Sequence, residues 1–201
     1  NTLDITVNSI NDAPVAVDDL GNTTPEDTPI TVTTIGANDT DDGTIDPTSI
    51  TLIDPANPSN TGNSTNPLVI AGVGTYSVNT AGDVTFTPAA NYNGSASINY
   101  TIEDNDGLVS ANQGTIGITV TSVNDLPVVV SEVNTTAEDT PLVIDTANGL
   151  LNNDTDADGD PLSITTFQIG GTTFNAGETA TLTEGTLVIN SDGSYTFTPA
   201  T

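Results

Sequence analysis

Aspartates at alternate positions form the motif best suited to chemistry in this chain, Asp154-Thr155-Asp156-Ala157-Asp158-Gly159-Asp160. Side-chain oxygens spaced in this way can converge on one hard cation, and a glycine allows the tight turn between them. The spacing matches the first half of an EF-hand loop, but the twelfth position is Thr165, which lacks the bidentate carboxylate. We therefore predict a calcium site at the four aspartates of this motif, with further ligands from another segment. The alternative is an Asp-rich turn.

A shorter form of the same motif, Asn38-Asp39-Thr40-Asp41-Asp42-Gly43, lies in the first half of the chain. It is shorter than the motif at residues 154–160, and the alternation of aspartates is broken. We therefore expect the site formed by Asp39, Asp41 and Asp42 to be weaker, altered or absent.

Other acidic and amide side chains recur at matching landmarks and are also candidate metal ligands. They are Asn11, Asp12, Glu26, Asp27, Asp104, Asp106, Asn124, Asp125, Glu138 and Asp139. The two Asn-Asp pairs lie between a terminal strand and a proline, where bound metal could stiffen a linker. Each pair could equally form an Asx turn, with the proline fixing φ. The Glu-Asp pairs and the turn at residues 103–107 could instead be solvated loops.

An internal repeat organises the whole chain. Asn11-Asp12 returns 113 residues later as Asn124-Asp125, and Glu26-Asp27-Thr28-Pro29 returns as Glu138-Asp139-Thr140-Pro141. A period of this length indicates an array of similar modules. We predict that residues 1–9 are the last strand of a preceding repeat, residues 10–122 a first repeat and residues 123–201 a second. The second repeat looks incomplete at its C-terminus, either because it is cropped or because strands of another copy complete it.

The charge of the chain excludes several classes of function. There are 27 acidic residues and no Lys, Arg or His, giving a formal net charge of −27. Two carboxylates ~4 Å apart repel by about 1 kcal/mol even in bulk water, so clustered aspartates favour a bound cation. The alternative is a merely soluble acidic surface. Nucleic acid and anionic membranes are excluded as partners because phosphate contacts need Lys or Arg, and no apolar run of about 18 residues supports direct membrane insertion.

Short alternating stretches bounded by Gly, Asn, Asp or Pro predict an all-β fold. We predict strands in the first repeat at residues 15–17, 30–34, 49–53, 68–71, 75–78, 84–87, 95–102 and 114–120, and in the second repeat at 128–130, 142–145, 162–166, 186–189 and 195–198. Ile98, Tyr100 and Ile102 alternate with polar residues and are predicted to face the core. Repeats of this size with short strands fit tandem immunoglobulin-like or cadherin-like β-sandwich modules.

Several motifs in the same order resemble a known family. They are Asn-Asp-x-Pro, Glu-Asp-Thr-Pro, the Asp-Thr-Asp motif, Thr-Phe-Thr-Pro and Asn91-Tyr92-Asn93-Gly94. Together they resemble the tandem-95 or cadherin-like repeats, also called bacterial Ig-like domains, of large bacterial surface adhesins. The resemblance implies calcium-bound extender modules of long secreted, cell-surface proteins that contribute to adhesion and biofilm formation. It makes Asn124, Asp125, Asp104 and the acids of residues 154–160 the best ligand candidates.

We expect a structural, non-enzymatic role in which Ca²⁺ stiffens each module and its junctions with neighbouring repeats. One alternative is an adhesive module that binds a glycan or another cell, although the four Tyr and four Phe offer few stacking platforms. Another is a subunit of an extracellular filament, in which residues 3–7 add as a strand to another copy. An enzyme would have to rely on carboxylates alone, and these acids lie in turns rather than in apolar pockets.

Overall fold

The computed structural model describes residues 2–6, 8, 10–33 and 35–201. The chain forms two compact units, residues 1–123 and residues 124–201, which we call unit 1 and unit 2. The strands of unit 1 are β1 (Asp19–Pro25), β2 (Ile30–Val32), β3 (Ile45–Ile53), β4 (Thr61–Gly62), β5 (Leu68–Ile70), β6 (Gly74–Val78), β7 (Val84–Pro88), β8 (Gly94–Ser95), β9 (Ile98–Asp104) and β10 (Gly114–Thr121). Those of unit 2 are β11 (Leu142–Ile144), β12 (Thr166–Ile169), β13 (Thr172–Asn175), β14 (Thr179–Leu182), β15 (Gly185–Ile189) and β16 (Tyr195–Pro199).

Unit 1 is a two-sheet sandwich. One sheet has the order β1-β10-β9-β3-β4, with β8 also paired to β10, and the other has the order β2-β7-β6-β5. The pairing of β1 with β10 is parallel, whereas β10 with β9 and β9 with β3 are antiparallel. Residues far apart in sequence are therefore neighbours at the edge of the first sheet.

The core of unit 1 lies between the two sheets. Ile98, Tyr100 and Ile102 of β9 are fully buried, which confirms the predicted alternation. Tyr76 and Phe86 face them from the second sheet, with their ring centroids 4.5 Å apart. Full burial of an aliphatic or aromatic side chain stabilises a fold by about 1.5–3 kcal/mol, so this interleaved face holds the two sheets together.

Unit 2 contains one sheet that matches unit 1 and one that does not. The sheet β11-β16-β15-β14 has the same order as β2-β7-β6-β5, whereas β12 and β13 form a separate hairpin. Within residues 124–201 no strand corresponds to β8, β9 or β10. Leu187 and Phe197, which correspond to the buried Tyr76 and Phe86, remain half-exposed because no second sheet covers them.

Some predicted strands are absent. Residues 15–17 and 128–130 form only single bridges, Val15 with Thr40 and Val128 with Thr155. The physical reason is that the amides of Val17 and Val130 donate to aspartate carboxylates instead of to a neighbouring strand. Residues 2–6 and 8 form no strand because they have no pairing partner, and positions 1, 7 and 9 of the predicted terminal strand lie outside the described residues. In the predicted strand at 162–166, only Thr166 is in β12.

Other boundaries also differ from the sequence-based ones. The predicted strand at 95–102 is divided into β8 and β9, and the predicted strand at 30–34 ends at Val32, with Thr34 outside the described residues. Strand β1 was not predicted, because DLGNTTP lacks apolar alternation and its partner β10 is almost a hundred residues away. Strands β13 and β14 were also missed.

Candidate metal centre

The loop that follows a short 3₁₀ turn at Ile35–Ala37 carries Asp39 and Asp41 to the start of β1. Two backbone hydrogen bonds between Val15 and Thr40, of 2.8 and 3.1 Å, hold this loop against the N-terminal segment of unit 1. Asp19, the first residue of β1, lies close enough to Asp39 for their charges to interact. We call Asp19, Asp39 and Asp41 the unit 1 acid cluster.

Each member of the unit 1 acid cluster has a buried oxygen without a hydrogen-bond donor. These atoms are Asp19 Oδ2, Asp39 Oδ2 and Asp41 Oδ1. The other oxygen of Asp39 accepts hydrogen bonds from the Val17 amide at 2.7 Å and from the Tyr100 hydroxyl at 2.8 Å. An unpaired buried carboxylate oxygen is energetically costly, and the chain contains no Lys, Arg or His to neutralise it.

The raised pKa values of Asp19 and Asp39 reflect the energetic cost of burying their carboxylates. Burial, followed by the charge of Asp39, raises the pKa of Asp19 from 3.8 to about 6. Burial also raises the pKa of Asp39, although the bonds from Val17 and Tyr100 act in the opposite direction. Carboxylates that resist ionisation for these reasons would gain from a divalent cation, which offsets both desolvation and mutual repulsion.

Four further predicted candidates join this part of unit 1. Asn11 Nδ2 donates to Asp104 Oδ2 at 2.7 Å, and the Asp12 amide donates to Asp42 Oδ1 at 3.2 Å. Asn11 Oδ1 and Asp41 Oδ2 both lie within 4 Å of the position that a Cβ on Gly43 would occupy. The structure therefore brings Asn11, Asp104 and the 39–42 loop together.

Asp104 is buried at the end of β9, where it closes a turn. Its Oδ1 atom accepts from the amides of Leu108 at 2.9 Å and Asp106 at 2.8 Å. The bond from Leu108, with those from Asn11 and Asp106, lowers the pKa of Asp104 and keeps it ionised. The side chain of Asp106 is exposed, so its connection to the cluster runs through its backbone.

Unit 2 repeats the same local contacts. The Val130 amide donates to Asp154 Oδ1 at 2.8 Å, as Val17 does to Asp39, and the Asp125 amide donates to Asp158 Oδ2 at 2.7 Å, as Asp12 does to Asp42. Asp156 Oδ1 accepts from the amides of Asp158 and Asp160, which shapes the turn around Gly159. Asn124 is exposed and its side chain donates to the Asp125 carbonyl at 2.8 Å.

Glu132 lines one groove with Asp154 and Asp156, and we call these three residues the unit 2 acid cluster. Glu132 Oε1 is buried without a donor, as is Asp19 Oδ2 in unit 1. The sequence-based candidates included neither Asp19 nor Glu132. The two residues are 113 apart, the same offset that relates Asn11 to Asn124, and this offset was the signal that could have found them.

The Glu-Asp pairs make different contacts. Glu26 is buried; its amide donates to the Thr121 carbonyl at 2.9 Å, and its carboxylate accepts from the Val123 amide. Asp27 has a φ of 56° and accepts from the Asn91 amide at 3.1 Å. In unit 2, Glu138 and Asp139 are both exposed. These contacts do not join the pairs to the acid clusters, and in unit 1 the contacts of Glu26 secure the end of β10.

The acid clusters have the donor chemistry of a metal site. Among the residues that the structure describes, no three acidic side chains are already arranged to hold one ion together. The donor chemistry nevertheless suits a hard cation, because carboxylate and amide oxygens are what calcium and magnesium bind. The buried carboxylate oxygens without hydrogen-bond donors also favour a cation, which would supply the positive charge that they lack. In unit 1, Asp19, Asp39 and Asp41 would hold the ion, with Asn11 and Asp104 adjacent.

A family profile for the bacterial cadherin-like domain matches residues 11–122 and 124–201. The chain belongs to the bacterial cadherin-like domain family. This match and the all-β structure confirm the resemblance and the fold class inferred from the sequence. Bacterial cadherin-like domains are typically structural modules of surface or extracellular proteins, so unit 1 and unit 2 form extracellular-type adhesin modules.

Other comparisons are weaker. A search of curated proteins gives no match for this bacterial cadherin-like chain. Among solved structures, an endo-fucoidan hydrolase of glycoside hydrolase family 107, MfFcnA9, is 16% identical over 94% of this chain and 29% of that chain, with a TM-score of 0.27. The N-terminal four Ig domains of Dscam1 isoform 4.4 are 10% identical over 98% of this chain and 47% of that chain, also with a TM-score of 0.27. The chain thus spans less than half the length of either solved chain.

Within the described part of the chain, no helix combines the length and the apolar character required to span a bilayer.

Proposed function

We propose that this chain is a calcium-binding structural extender of a long secreted or cell-surface adhesin. In this proposal, Ca²⁺ stiffens the modules and their junctions with neighbouring repeats, which supports cell adhesion and biofilm formation. The observation that carries the proposal is the buried carboxylate oxygens without donors, at Asp19, Asp39 and Asp41 in unit 1 and at Glu132 in unit 2. The chain has no basic side chain that could neutralise them, and a bound cation would offset their charge.

The segments that these ligands join explain how an ion would stiffen unit 1. Asp19 begins β1, Asp39 and Asp41 lie on the loop before β3, and Asp104 ends β9. An ion held by Asp19, Asp39 and Asp41, with Asp104 adjacent, would cross-link segments that are far apart in sequence. It would also remove the repulsion between Asp19 and Asp39, so the folded state would gain stability in proportion to ion binding.

Ordinary extracellular affinities are sufficient for this role. Extracellular calcium modules typically bind with dissociation constants of about 10⁻⁴–10⁻³ M. An ion present at about 100 times its dissociation constant adds about 2.7 kcal/mol to the free energy of unfolding. The folded state would therefore be favoured after export, where calcium is abundant, over the low-calcium cytosol.

The junction between repeats is the second place where we propose that calcium acts. Asn124 and Asp125 occupy the linker position in the sequence, and the preceding Val123 amide is held by Glu26 within unit 1. Ligands in such a short linker would restrict its backbone when they bind an ion.

Thermal unfolding in calcium, in magnesium and in chelator tests the proposal, with Asp39→Asn as the diagnostic variant. Asparagine keeps an Oδ1 atom for the Val17 and Tyr100 donors but removes the charge and the free oxygen of Asp39. We expect a saturable, calcium-specific rise in the melting temperature of unit 1, which Asp39→Asn abolishes. Asp46→Asn is the matched control, because Asp46 also accepts through Oδ1, from Thr48, outside the cluster.

The stability of the variant in chelator separates a binding defect from misfolding. Since Asp39→Asn removes an unfavourable buried charge beside Asp19, it should unfold at the same or a higher temperature than the wild type without calcium. An equal calcium shift in wild type and Asp39→Asn, or no shift in the wild type, would contradict the proposal.

A further inference from the structure

The loop between β4 and β5 projects from a narrow base in unit 1. Gly62 and Leu68, which flank it, are both buried, and a Cβ on Gly62 would lie only 2.4 Å from the Leu68 amide nitrogen. The residues between them, 63–67, are all exposed, and we call them the β4–β5 loop. Because the base of this loop is closed against the core, its tip is presented to solvent in a defined position.

The β4–β5 loop carries the acceptor motif for N-linked sugars, Asn63-Ser64-Thr65. Asn63 Oδ1 accepts hydrogen bonds from the Thr65 amide at 2.9 Å, from Thr65 Oγ1 at 2.8 Å and from the Asn66 amide at 3.1 Å. Backbone N–H groups only donate, so the atom that faces them is the oxygen, and this fixes the orientation of the Asn63 side chain. Asn63 Nδ2, the atom to which a sugar would be attached, donates to none of the described residues.

Six other Asn-x-Ser/Thr motifs occur in the chain, and contacts of the fold hold each of them. They begin at Asn22, Asn38, Asn93, Asn99, Asn134 and Asn153. In four of them, at positions 22, 38, 99 and 134, the Nδ2 atom donates to another residue. In the remaining two the third residue is paired, Ser95 with Thr119 of β10 and Thr155 with Val128. A transferase must draw the motif into its own site, so these six would first have to open locally.

The charge around Asn63 also distinguishes it. Residues 55–82 contain no Asp or Glu, and this is the longest such stretch in a chain with 27 acidic residues. Donor sugars carry an anionic phosphate leaving group, which clustered carboxylates would repel. The motifs at Asn38 and Asn153 include Asp39 and Asp154 of the acid clusters, whereas the β4–β5 loop is neutral.

We propose that Asn63 is an acceptor for N-linked glycosylation. In this reaction Asn63 Nδ2 attacks C1 of a nucleoside-diphosphate sugar that a transferase holds beside the loop. The C1–N bond forms, the bond between C1 and the phosphate oxygen breaks with its electron pair on the departing nucleoside diphosphate, and Nδ2 gives one proton to a base of the transferase. The inference goes beyond the calcium proposal and does not depend on it.

Reaction of the folded chain with UDP-glucose and a bacterial asparagine glucosyltransferase tests the proposal. The chain lacks the Lys and Arg that trypsin requires, so endoproteinase Asp-N, which cleaves before aspartate, is used to release residues 54–82 for mass spectrometry. We expect one hexose on Asn63. We expect at least about tenfold less on Asn22, because its motif must first open from β1.

Two substitutions of Thr65 separate the motif from the exposure of the loop. Thr65→Ala removes the hydroxyl that the motif requires and should abolish the reaction, whereas Thr65→Ser keeps a hydroxyl and should retain it. Both variants should melt close to the wild type, since Thr65 is exposed. Isolated peptides that span Asn63 and Asn22 should react at similar rates, because neither is held by the fold.

The chain purified from the cells that produce it provides the second measurement. Its fragment of residues 54–82 should carry the additional mass of a sugar on Asn63, and an unmodified fragment would overturn the proposal. Equal modification of Asn22 and Asn63 in the folded chain would also contradict it. The same holds for a hexose on Asn63 that persists in Thr65→Ala.

Discussion

The hydroxyl of Tyr100 donates to Asp39 Oδ1 at 2.8 Å and also lies 2.8 Å from the Val17 carbonyl oxygen. This phenol therefore joins a core strand, β9, to the loop that carries the unit 1 acid cluster. Because the ring of Tyr100 is fully buried, the position of Asp39 is set by the core of the sandwich and not by the loop alone. The candidate metal centre is in this sense an extension of the core.

Tyr100→Phe should destabilise unit 1 in both calcium and chelator. The substitution keeps the buried ring but removes the hydroxyl, leaving the Asp39 carboxylate with fewer partners, so we expect a loss of about 1–3 kcal/mol. Tyr195→Phe is the control, because the Tyr195 hydroxyl accepts from the exposed Asn134 and should contribute little. Chemical denaturation of both variants measures the difference, and equal losses would contradict the role given to Tyr100.

Without calcium, stability should fall as the pH is raised from about 4 to about 6. The pKa of Asp19 is about 6 in the folded chain against an ordinary value of 3.8, so the folded state binds more protons within this window. Protonation therefore favours folding there, and ionisation disfavours it. Asp104, whose pKa is lowered, acts oppositely and at lower pH.

Asp19→Asn is the variant that assigns this pH dependence. In chelator, its melting temperature should decline less between pH 4 and 6 than that of the wild type, because the group with the raised pKa is gone. Calcium should also bind the wild type more weakly as the pH falls below about 6, since protons compete for Asp19. An unchanged slope in Asp19→Asn would show that other acids produce it.

Glu132→Gln should remove calcium binding from unit 2 and leave unit 1 unaffected. The amide keeps the size of the side chain but lacks the charge that the buried Oε1 atom would bring to an ion. Titration calorimetry should show fewer ions bound in Glu132→Gln, and a further loss when Asp39→Asn is added. Glu184→Gln, on an exposed residue, should match the wild type.

Gly74→Ala should destabilise unit 1 far more than Gly72→Ala. Both glycines have positive φ angles, but a Cβ on Gly74 would lie 2.4 Å from the Thr87 carbonyl oxygen and 2.6 Å from the Phe86 ring, whereas a Cβ on Gly72 would meet nothing within 4 Å. Gly72→Ala should cost about 1–2 kcal/mol for its backbone conformation alone. Thermal unfolding in saturating calcium compares the two, and equal losses would show that the core accommodates the methyl group.

The sequence predicted the parts of this chain whose signal is local. Alternation identified β9, and the repeated Thr-Phe-Thr-Pro motif marked β7 and β16, because a strand with one buried face shows its period in a short window. Strand β1 could not be found in this way. Its pairing with β10 is parallel and long-range, and its few apolar residues show no period.

The candidate ligands also divide into residues that a local sequence motif identifies and residues that only the fold identifies. Asp39, Asp41 and Asp154 stood out because they belong to a dense local motif. In the structure Asp39 and Asp154 each accept a hydrogen bond from another segment, and Asp41 Oδ2 lies with Asn11 Oδ1 beside Gly43. Asp19 and Glu132 belong to no dense acidic motif, and only the fold shows Asp19 beside Asp39 and Glu132 in one groove with Asp154. The Glu-Asp pairs were equally conspicuous in sequence, yet in unit 1 Glu26 serves the end of β10.

The parallel pairing of β1 with β10 has a mechanical consequence. Strand β1 lies near the start of unit 1 and β10 ends two residues before its last residue, Val123. Tension applied to the two ends of the unit would pull these neighbouring strands in opposite directions along their own length. The hydrogen bonds of the whole pairing, from Asp19 with Ile116 to Pro25 with Thr121, would then be loaded together in shear, and the unit would resist extension until many of them failed at once.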